Sequence, residues 1–181
     1  MYWEKIEGMF TFQILYTNMV HTFPSGSVFV EIGAWKGKSA VFMAEKIKES
    51  GKNINFYTID PFDGTGGGYE NDSDVKNSIL FETYTKNIEP VKSYIQTLTG
   101  FSYDVVGKFE NESIDFLFID GDHRYEGIKR DLNEWFPKIK RGGIISGHDY
   151  NEPSCGVKQA VDEYFIFKAS PYQGGCWYLE K

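Results

Sequence analysis

Two short polar runs carry most of the chemistry available to this chain. Asp120-Gly121-Asp122-His123 follows the apolar run Ile114 to Ile119, and His148-Asp149-Tyr150 follows Gly143 to Gly147, so each leaves the end of a strand-like segment. If the two segments are neighbours in one sheet, both polar runs face the same crevice. Carboxylates with imidazoles are what a Mg²⁺, Mn²⁺ or Zn²⁺ site is built from, and a cation there would lower the pKa of a bound hydroxyl. Histidine also titrates near neutrality, so an imidazole can take a proton without heavy tuning. The plain alternative for Asp120-Gly121-Asp122 is ordinary strand-end turn chemistry.

A second stretch, Val28 to Ser39, reads as a buried strand, a tight turn and a helix. Spacing separates the ligands such a corner could hold. A phosphate-cradling loop needs four residues between its first Gly and the Gly-Lys-Ser, and here Gly33 and Gly37-Lys38-Ser39 are one residue too close. A dinucleotide fingerprint would need Gly where Trp35 and Lys38 stand. What remains is acid-x-Gly-x-x-x-Gly-x-Ser. Gly33 and Gly37 keep the loop free of side chains beside a ligand without phosphates, and Glu31 can accept from an ammonium group. That combination suits S-adenosylmethionine.

The run Glu31-Ile32-Gly33-Ala34-Trp35-Lys36-Gly37-Lys38-Ser39 closely resembles motif I of class I S-adenosylmethionine-dependent methyltransferases, and the resemblance extends through Asp60 and Ile119 to Tyr150. Within that superfamily the chain looks most like the small metal-assisted O-methyltransferases, the catechol, caffeoyl-CoA and bacterial natural-product or sugar enzymes. The resemblance implies a cofactor site of Glu31, Gly33, Trp35, Gly37, Ser39, Asp60, Phe101, Ser102 and Asp120, with Phe101 and Ser102 flanking the adenine. It also makes Asp120 and Asp149 metal-binding acids and puts His123 where those enzymes carry a catalytic lysine. The third metal ligand of the family directly follows the second acid. That position here is Tyr150, a poor ligand, so His148 or His123 must substitute. The expected site is therefore His123, Asp120 and His148 for catalysis, with Asp120, Asp149 and His148 around Mg²⁺ or another divalent cation.

The elements that must position these residues alternate along the chain. Trp3, Ile6, Phe10 and Ile14 recur at helical intervals before Pro24-Ser25-Gly26, which predicts one or two N-terminal helices over residues 1–25, either covering the site or simply capping the sheet. Asn55 to Ile59 is a second strand ending at Asp60, about 20 residues beyond the glycine loop, where an acid can accept from both ribose hydroxyls. Asp before Pro61 also starts turns. Phe62 to Tyr69, with glycines at 64 and 66–68, leaves that strand on the ligand side as a lid or as an idle surface loop. Asp72-Ser73 begins a helix carrying Val75, Ile79 and Ile88 on one face. Ile95 to Thr99 and Ser113 to Ile119 are further strands, and Ser102 can also cap a helix. Tyr125, Ile128, Leu132 and Trp135 have helical spacing, as do Val157, Ala160, Val161 and Tyr164. Phe165 to Lys168 and Cys176 to Leu179 read as a final antiparallel pair.

These elements predict an α/β fold, a Rossmann-like doubly wound sheet of about seven strands, mostly parallel with an antiparallel last strand. At 181 residues the chain is read as a single domain, 1–181, with a helical cap over 1–25 and the core over 26–181. Lysine and arginine total 19 against 26 acids, with no block of like charge, which argues against nucleic acid and membrane partners. No apolar run approaches the roughly 20 residues of a membrane helix. Two cysteines without metal spacing, Cys155 and Cys176, point to a reducing cytoplasm. The partner is a small-molecule acceptor, and a homodimer is left open.

The leading function is O-methylation of a small hydroxylated acceptor, a sugar or secondary metabolite, with S-adenosylmethionine as donor and a divalent metal assisting. The competing readings are a metalloenzyme of hydroxylase or deaminase type on the same scaffold and a binding homologue without turnover. Cofactor-dependent methyl transfer separates the first from the others.

Overall fold

β-Branched and aromatic residues dominate the extended stretches, and turns or acids close them. In the computed structural model, which describes residues Met1–Lys181, the strands are β1 (Val28–Ile32), β2 (Asn55–Asp60), β3 (Gln96–Thr99), β4 (Ile114–Ile119), β5 (Ile139–Gly147), β6 (Ser170–Tyr172) and β7 (Cys176–Glu180). They form one sheet in the order β3-β2-β1-β4-β5-β7-β6. Neighbours from β3 to β5 run parallel, and β7 runs against both of its partners. This is the expected doubly wound α/β sheet with its antiparallel last strand.

Side chains of the central strands alternate between two cores. Phe29, Phe116 and Phe118 enter one, while Val30, Leu117 and Ile119 enter the other. The helices are α1 (Gln13–Thr22), α2 (Lys38–Ser50), α3 (Ser73–Lys76), α4 (Leu80–Ile88), α5 (Ser102–Val105), α6 (Tyr125–Trp135) and α7 (Val157–Phe165). Helices α1, α2 and α4 supply the first core, and α6 and α7 supply the second. On α6 the buried set Ile128, Leu132 and Trp135 follows the helical period seen in the sequence. Truncating Leu132 to alanine should cost about 2–5 kcal/mol, the usual toll of a core cavity. No helix is long and apolar enough to cross a membrane.

Four segments differ from their sequence reading. Trp3, Ile6, Phe10 and Ile14 do not share a helix: Trp3–Lys5 is one 3₁₀ turn, residues 6–12 are irregular, and α1 buries Leu15, Tyr16, Met19 and Val20. Ile14 is 53% exposed. Gly8, at φ +125°, is the signal the helical spacing concealed, because that backbone is not helical. The helix begun at Asp72 breaks after Lys76, where Ser78 has φ +57°, and α4 restarts with Leu80, Tyr84 and Ile88 inward. Strand β5 begins at Ile139 rather than Gly143, pairing Ile139 with Ile114 ahead of a register shift. Phe165 to Lys168 is not a strand, since Phe165 closes α7 and β6 comes later, at Ser170–Tyr172.

Candidate active site

The carboxyl ends of β1 and β4 lie side by side at the point where chain connections leave in opposite directions, which is where open α/β sheets bind ligands. Their approach is close. The Asp120 amide donates to the Ile32 carbonyl at 2.7 Å, and a Cβ added to Gly33 would sit 2.1 Å from the Asp120 carbonyl oxygen. Glycine at position 33, with φ +92°, is thus demanded by the backbone of the neighbouring strand as well as by any ligand. The His148 amide donates to the Ile119 carbonyl at 3.1 Å, which brings the end of β5 to the same edge. Above this edge opens a cleft of about 520 Å³, ample for a small-molecule site.

One arm of the cleft follows β1 and β2. Asp60 Oδ2 accepts from the amides of Ala34 (2.7 Å) and Trp35 (2.9 Å), and Oδ1 accepts from Phe62 (2.6 Å). Burial raises its pKa against the pull of these amides. Asp60 lines the cleft, yet it is also the bracket that shapes the glycine loop, a role its sequence position did not disclose. Trp35, at φ +43°, and Ser39 line the cleft too. Glu31 and Gly37 do not. Gly37 faces Tyr84 of α4, where an added Cβ would stand 3.0 Å from the ring. Glu31 is 1% exposed and takes a hydrogen bond from Tyr16 of α1 (2.7 Å to Oε1), while its Oε2 has no partner. Burial pushes its pKa up to about 8. Glu31 and Gly37 thus stand behind the loop rather than on the wall of the cleft.

The far end of this arm holds Phe101 and Ser102, with Tyr103, Arg130 and Asp131. Phe101 and Tyr103 stack at 5.1 Å, and Arg130 lies 3.8 Å from the Tyr103 ring. Ser102 donates to Asp131 Oδ1 rather than capping its own helix. Asp131 is 2% exposed, and burial raises its pKa to about 6. Sequence reasoning missed it: Asp131 looks like one more polar position on an amphipathic helix, and its partner is 29 residues away.

The other arm gathers the acids and imidazoles. His123 Nε2 lies 3.6 Å from Asp120 Oδ1 and 3.2 Å from Asp149 Oδ2, and His148 Nδ1 lies 3.7 Å from Asp120 Oδ1 and 3.2 Å from Asp149 Oδ1. Asp149, at φ +57°, therefore turns one oxygen to each histidine. Burial pulls both imidazoles down, but the two carboxylates outweigh it, raising His123 and carrying His148 to about 9. Asp122 stands apart. Arg124 grips it through two nitrogens at 2.6 and 2.8 Å, and it packs on Gly127 at the start of α6. Tyr150 is buried and donates to Asp162 of α7, which removes it from any ligand role.

Two further segments roof the cleft. The glycine loop bends back so that the His123 amide donates to the Gly66 carbonyl (3.0 Å), and Tyr69 stacks on Trp35 at 4.7 Å. Lys36, its side chain 3% exposed, reaches Glu7 (2.9 Å), Asp72 (3.0 Å) and Asp74 (3.6 Å). It thereby ties the N-terminal segment and the segment after the glycine loop to the loop at Trp35. Nothing in the sequence distinguished this lysine from a solvated one.

Residues 30–150 match the model of a family described as a methyltransferase domain. The chain belongs to this methyltransferase family. An uncharacterised protein of Acanthamoeba polyphaga mimivirus is 31% identical over 175 residues, covering 88% of this chain and 72% of its own. The O-methyltransferase NovP shares the fold at TM-score 0.70 and 21% identity, over 93% of this chain and 78% of NovP. The TDP-rhamnose 3'-O-methyltransferase CalS11 does so at TM-score 0.62 and 16% identity, over 93% and 76%. The chain is thus an enzyme of the methyltransferase type.

The donor set of the methyltransferase suits a divalent cation on a physical criterion. His148 Nε2 donates to the Gly174 carbonyl at 2.9 Å, which leaves Nδ1 toward the two carboxylates. The same carboxylates carry the pKa of the ring to about 9, so Nδ1 holds a proton between the ring and the acids, and a divalent cation bound there would take that proton's place. An imidazole whose far nitrogen donates to a backbone carbonyl is the usual support of a metal ligand.

Proposed function

We propose that this chain is an O-methyltransferase that moves the methyl group of S-adenosylmethionine to the hydroxyl of a small acceptor, a sugar or secondary metabolite, in the cytoplasm. The observation that carries the reading is the convergence of His123, Asp120, His148 and Asp149 at one end of a cleft whose other end has the glycine loop and Asp60. Gly33, Trp35, Ser39 and Asp60 would hold the methionine and ribose portions, and Ser102 with Asp131 would face the adenine beside Phe101. Burial without a second partner leaves Asp131 ready to accept from an amino group. Asp120, His148 and Asp149 would hold Mg²⁺ or a related cation, which when bound lowers the pKa of the acceptor hydroxyl.

His123 then takes the hydroxyl proton on Nε2, a nitrogen without a hydrogen-bond partner in the cleft. The freed oxygen forms its bond to the methyl carbon as the carbon–sulfur bond breaks, and the electron pair stays on sulfur as a neutral thioether. The chain's contribution is alignment and proton removal, the two requirements of such a displacement. Trp35, Tyr69 and Met9 give the acceptor end an apolar wall that keeps water from competing.

The test combines calorimetry of S-adenosylhomocysteine binding with methyl transfer to a panel of hydroxylated sugars and phenols, with and without chelator. Binding with chelator-sensitive transfer is the expected result. Binding without transfer to any acceptor would favour the binding homologue, and no binding at all would remove the cofactor assignment.

A further inference from the structure

Asp149 divides its two oxygens between two histidines, and the second of these belongs to a donor set that the proposed reaction does not use as such. On the Oδ1 side stand His148 and Asp120, an all oxygen and nitrogen set. On the Oδ2 side stands His123, and the ligand atoms of His123, Asp149 and Cys155 all lie within 4.8 Å of one another. Cys155 is brought there by the chain after β5. The Cys155 amide donates to the Glu152 carbonyl (3.1 Å), and the next amide, Gly156, donates to the His123 carbonyl (2.9 Å). Position 156 must be glycine for this approach, because an added Cβ would sit 2.2 Å from the Tyr125 amide nitrogen.

His123 Nε2 supplies an independent pointer to a ligand. It is shut off from solvent and has no hydrogen-bond partner, although Asp149 Oδ2 is 3.2 Å away. We propose that His123, Asp149 and Cys155 form a second cation site, one that takes Zn²⁺ through nitrogen, oxygen and thiolate sulfur. Three such ligands on a tetrahedral ion leave a fourth position toward the cleft, whereas the Asp120, His148 and Asp149 set suits harder ions such as Mg²⁺ or Mn²⁺. Zinc entry displaces the Cys155 thiol proton to solvent, with no oxidation or reduction. The other thiol cannot substitute, since Cys176 is fully buried in the core.

One consequence rests on the proposed function: zinc at this site occupies the His123 nitrogen that takes the acceptor proton, so it should inhibit transfer that magnesium supports. The site itself does not depend on that reading.

Cobalt titration of the purified chain is the test, because a thiolate bound to Co²⁺ gives a near-ultraviolet charge-transfer band that Zn²⁺ removes by displacement. The band should appear in the native chain, vanish in Cys155→Ser and persist in His148→Ala, which removes a ligand of the other donor set and leaves His123, Asp149 and Cys155 in place. No band in the native chain, a band that survives Cys155→Ser, or one lost in His148→Ala would each overturn the site. Zinc inhibition of methyl transfer should weaken by about tenfold or more in Cys155→Ser, on the scale of losing one support of a metal site. Equal inhibition of both chains would overturn the inhibitory consequence. Calorimetry with S-adenosylhomocysteine runs alongside: failure to bind with the cobalt result intact would sink the proposed function and leave the zinc site standing.

Discussion

The two arms of the cleft treat their polar groups in opposite ways. Along β1 and β2, Asp60 is filled by three backbone amides, Gly33 is pressed on the Asp120 carbonyl, and Gly37 is packed on Tyr84. At the ends of β4 and β5, by contrast, His123 Nε2 has no partner and Asp149 stands between two imidazoles. The first arm has its glycine loop and Asp60 held by backbone contacts before any ligand arrives, so it behaves as scaffold. The second crowds two acids against two imidazoles and leaves His123 Nε2 without a hydrogen bond, which a folded chain tolerates where a ligand or a proton will complete the set. Changes in the first arm should therefore be felt in stability and binding, and changes in the second mainly in rate.

Asp60→Ala tests the scaffold side and should have the largest effect. Each amide left without a partner costs about 1–3 kcal/mol when buried, and three are freed at once. Chemical denaturation should show the loss in the ligand-free protein, with weaker cofactor binding beside it. Unchanged stability would mean that Asp60 serves the ligand alone, and the contrast between the arms would fail on that side.

His123→Ala tests the other side. Turnover should fall by about 10²–10⁴-fold, the worth of a positioned proton acceptor, while stability and cofactor affinity hold. A comparable fall in unfolding free energy would make His123 scaffold as well.

Glu31 is the titratable exception in the first arm, because its Oε2 has no partner, and it sharpens the comparison through pH. Its folded pKa of about 8 lies above its ordinary 4.5, so the folded state holds the proton more tightly than the unfolded chain. Stability from this group is complete below about 4.5 and declines as pH rises toward 8, by at most about 1.4 kcal/mol per pH unit. Glu31→Gln should flatten that decline in thermal melts between those limits. A cofactor ammonium nearby would also flatten it, so the slope in the native chain should shrink when S-adenosylhomocysteine is bound. An identical slope in both chains without ligand would place the titration elsewhere.

How far the sequence revealed this follows from the range of each interaction. Strands β1, β2 and β4 were legible because a buried parallel strand needs a short run of apolar residues, a local signal. The N-terminal segment was not, since Trp3, Ile6 and Phe10 mimic a helical period while packing individually against Phe42 and their neighbours. The acids and histidines were legible as a cluster because strand ends place them, but their division by Asp149 was not, as it depends on a single left-handed residue. Lys36 and Asp131 were missed for one reason. Their partners stand 29 to 38 residues away, and no spacing rule reaches that far.

The smallest effect concerns the glycine loop, which bridges the two arms. Tyr69 stacks on Trp35 of the scaffold arm, while the Gly66 carbonyl accepts from the His123 amide of the reactive arm. Losing the stack in Tyr69→Ala should cost about 0.5–1.5 kcal/mol of loop docking, the worth of an aromatic pair beyond its buried area. Tyr69→Phe keeps the ring and should cost little. The His123 amide reports the difference, because it is released only when Gly66 lifts away. Its hydrogen exchange should quicken by about two- to tenfold in Tyr69→Ala, with the amides of β4 unchanged, if the loop opens as a unit over the cleft. Bound S-adenosylhomocysteine should restore the protection if the loop closes on the ligand. Exchange of the His123 amide that ignores both the stack and the ligand would make residues 62–69 a surface loop held from elsewhere, with Lys36 and its grip on Asp72 as the next place to look.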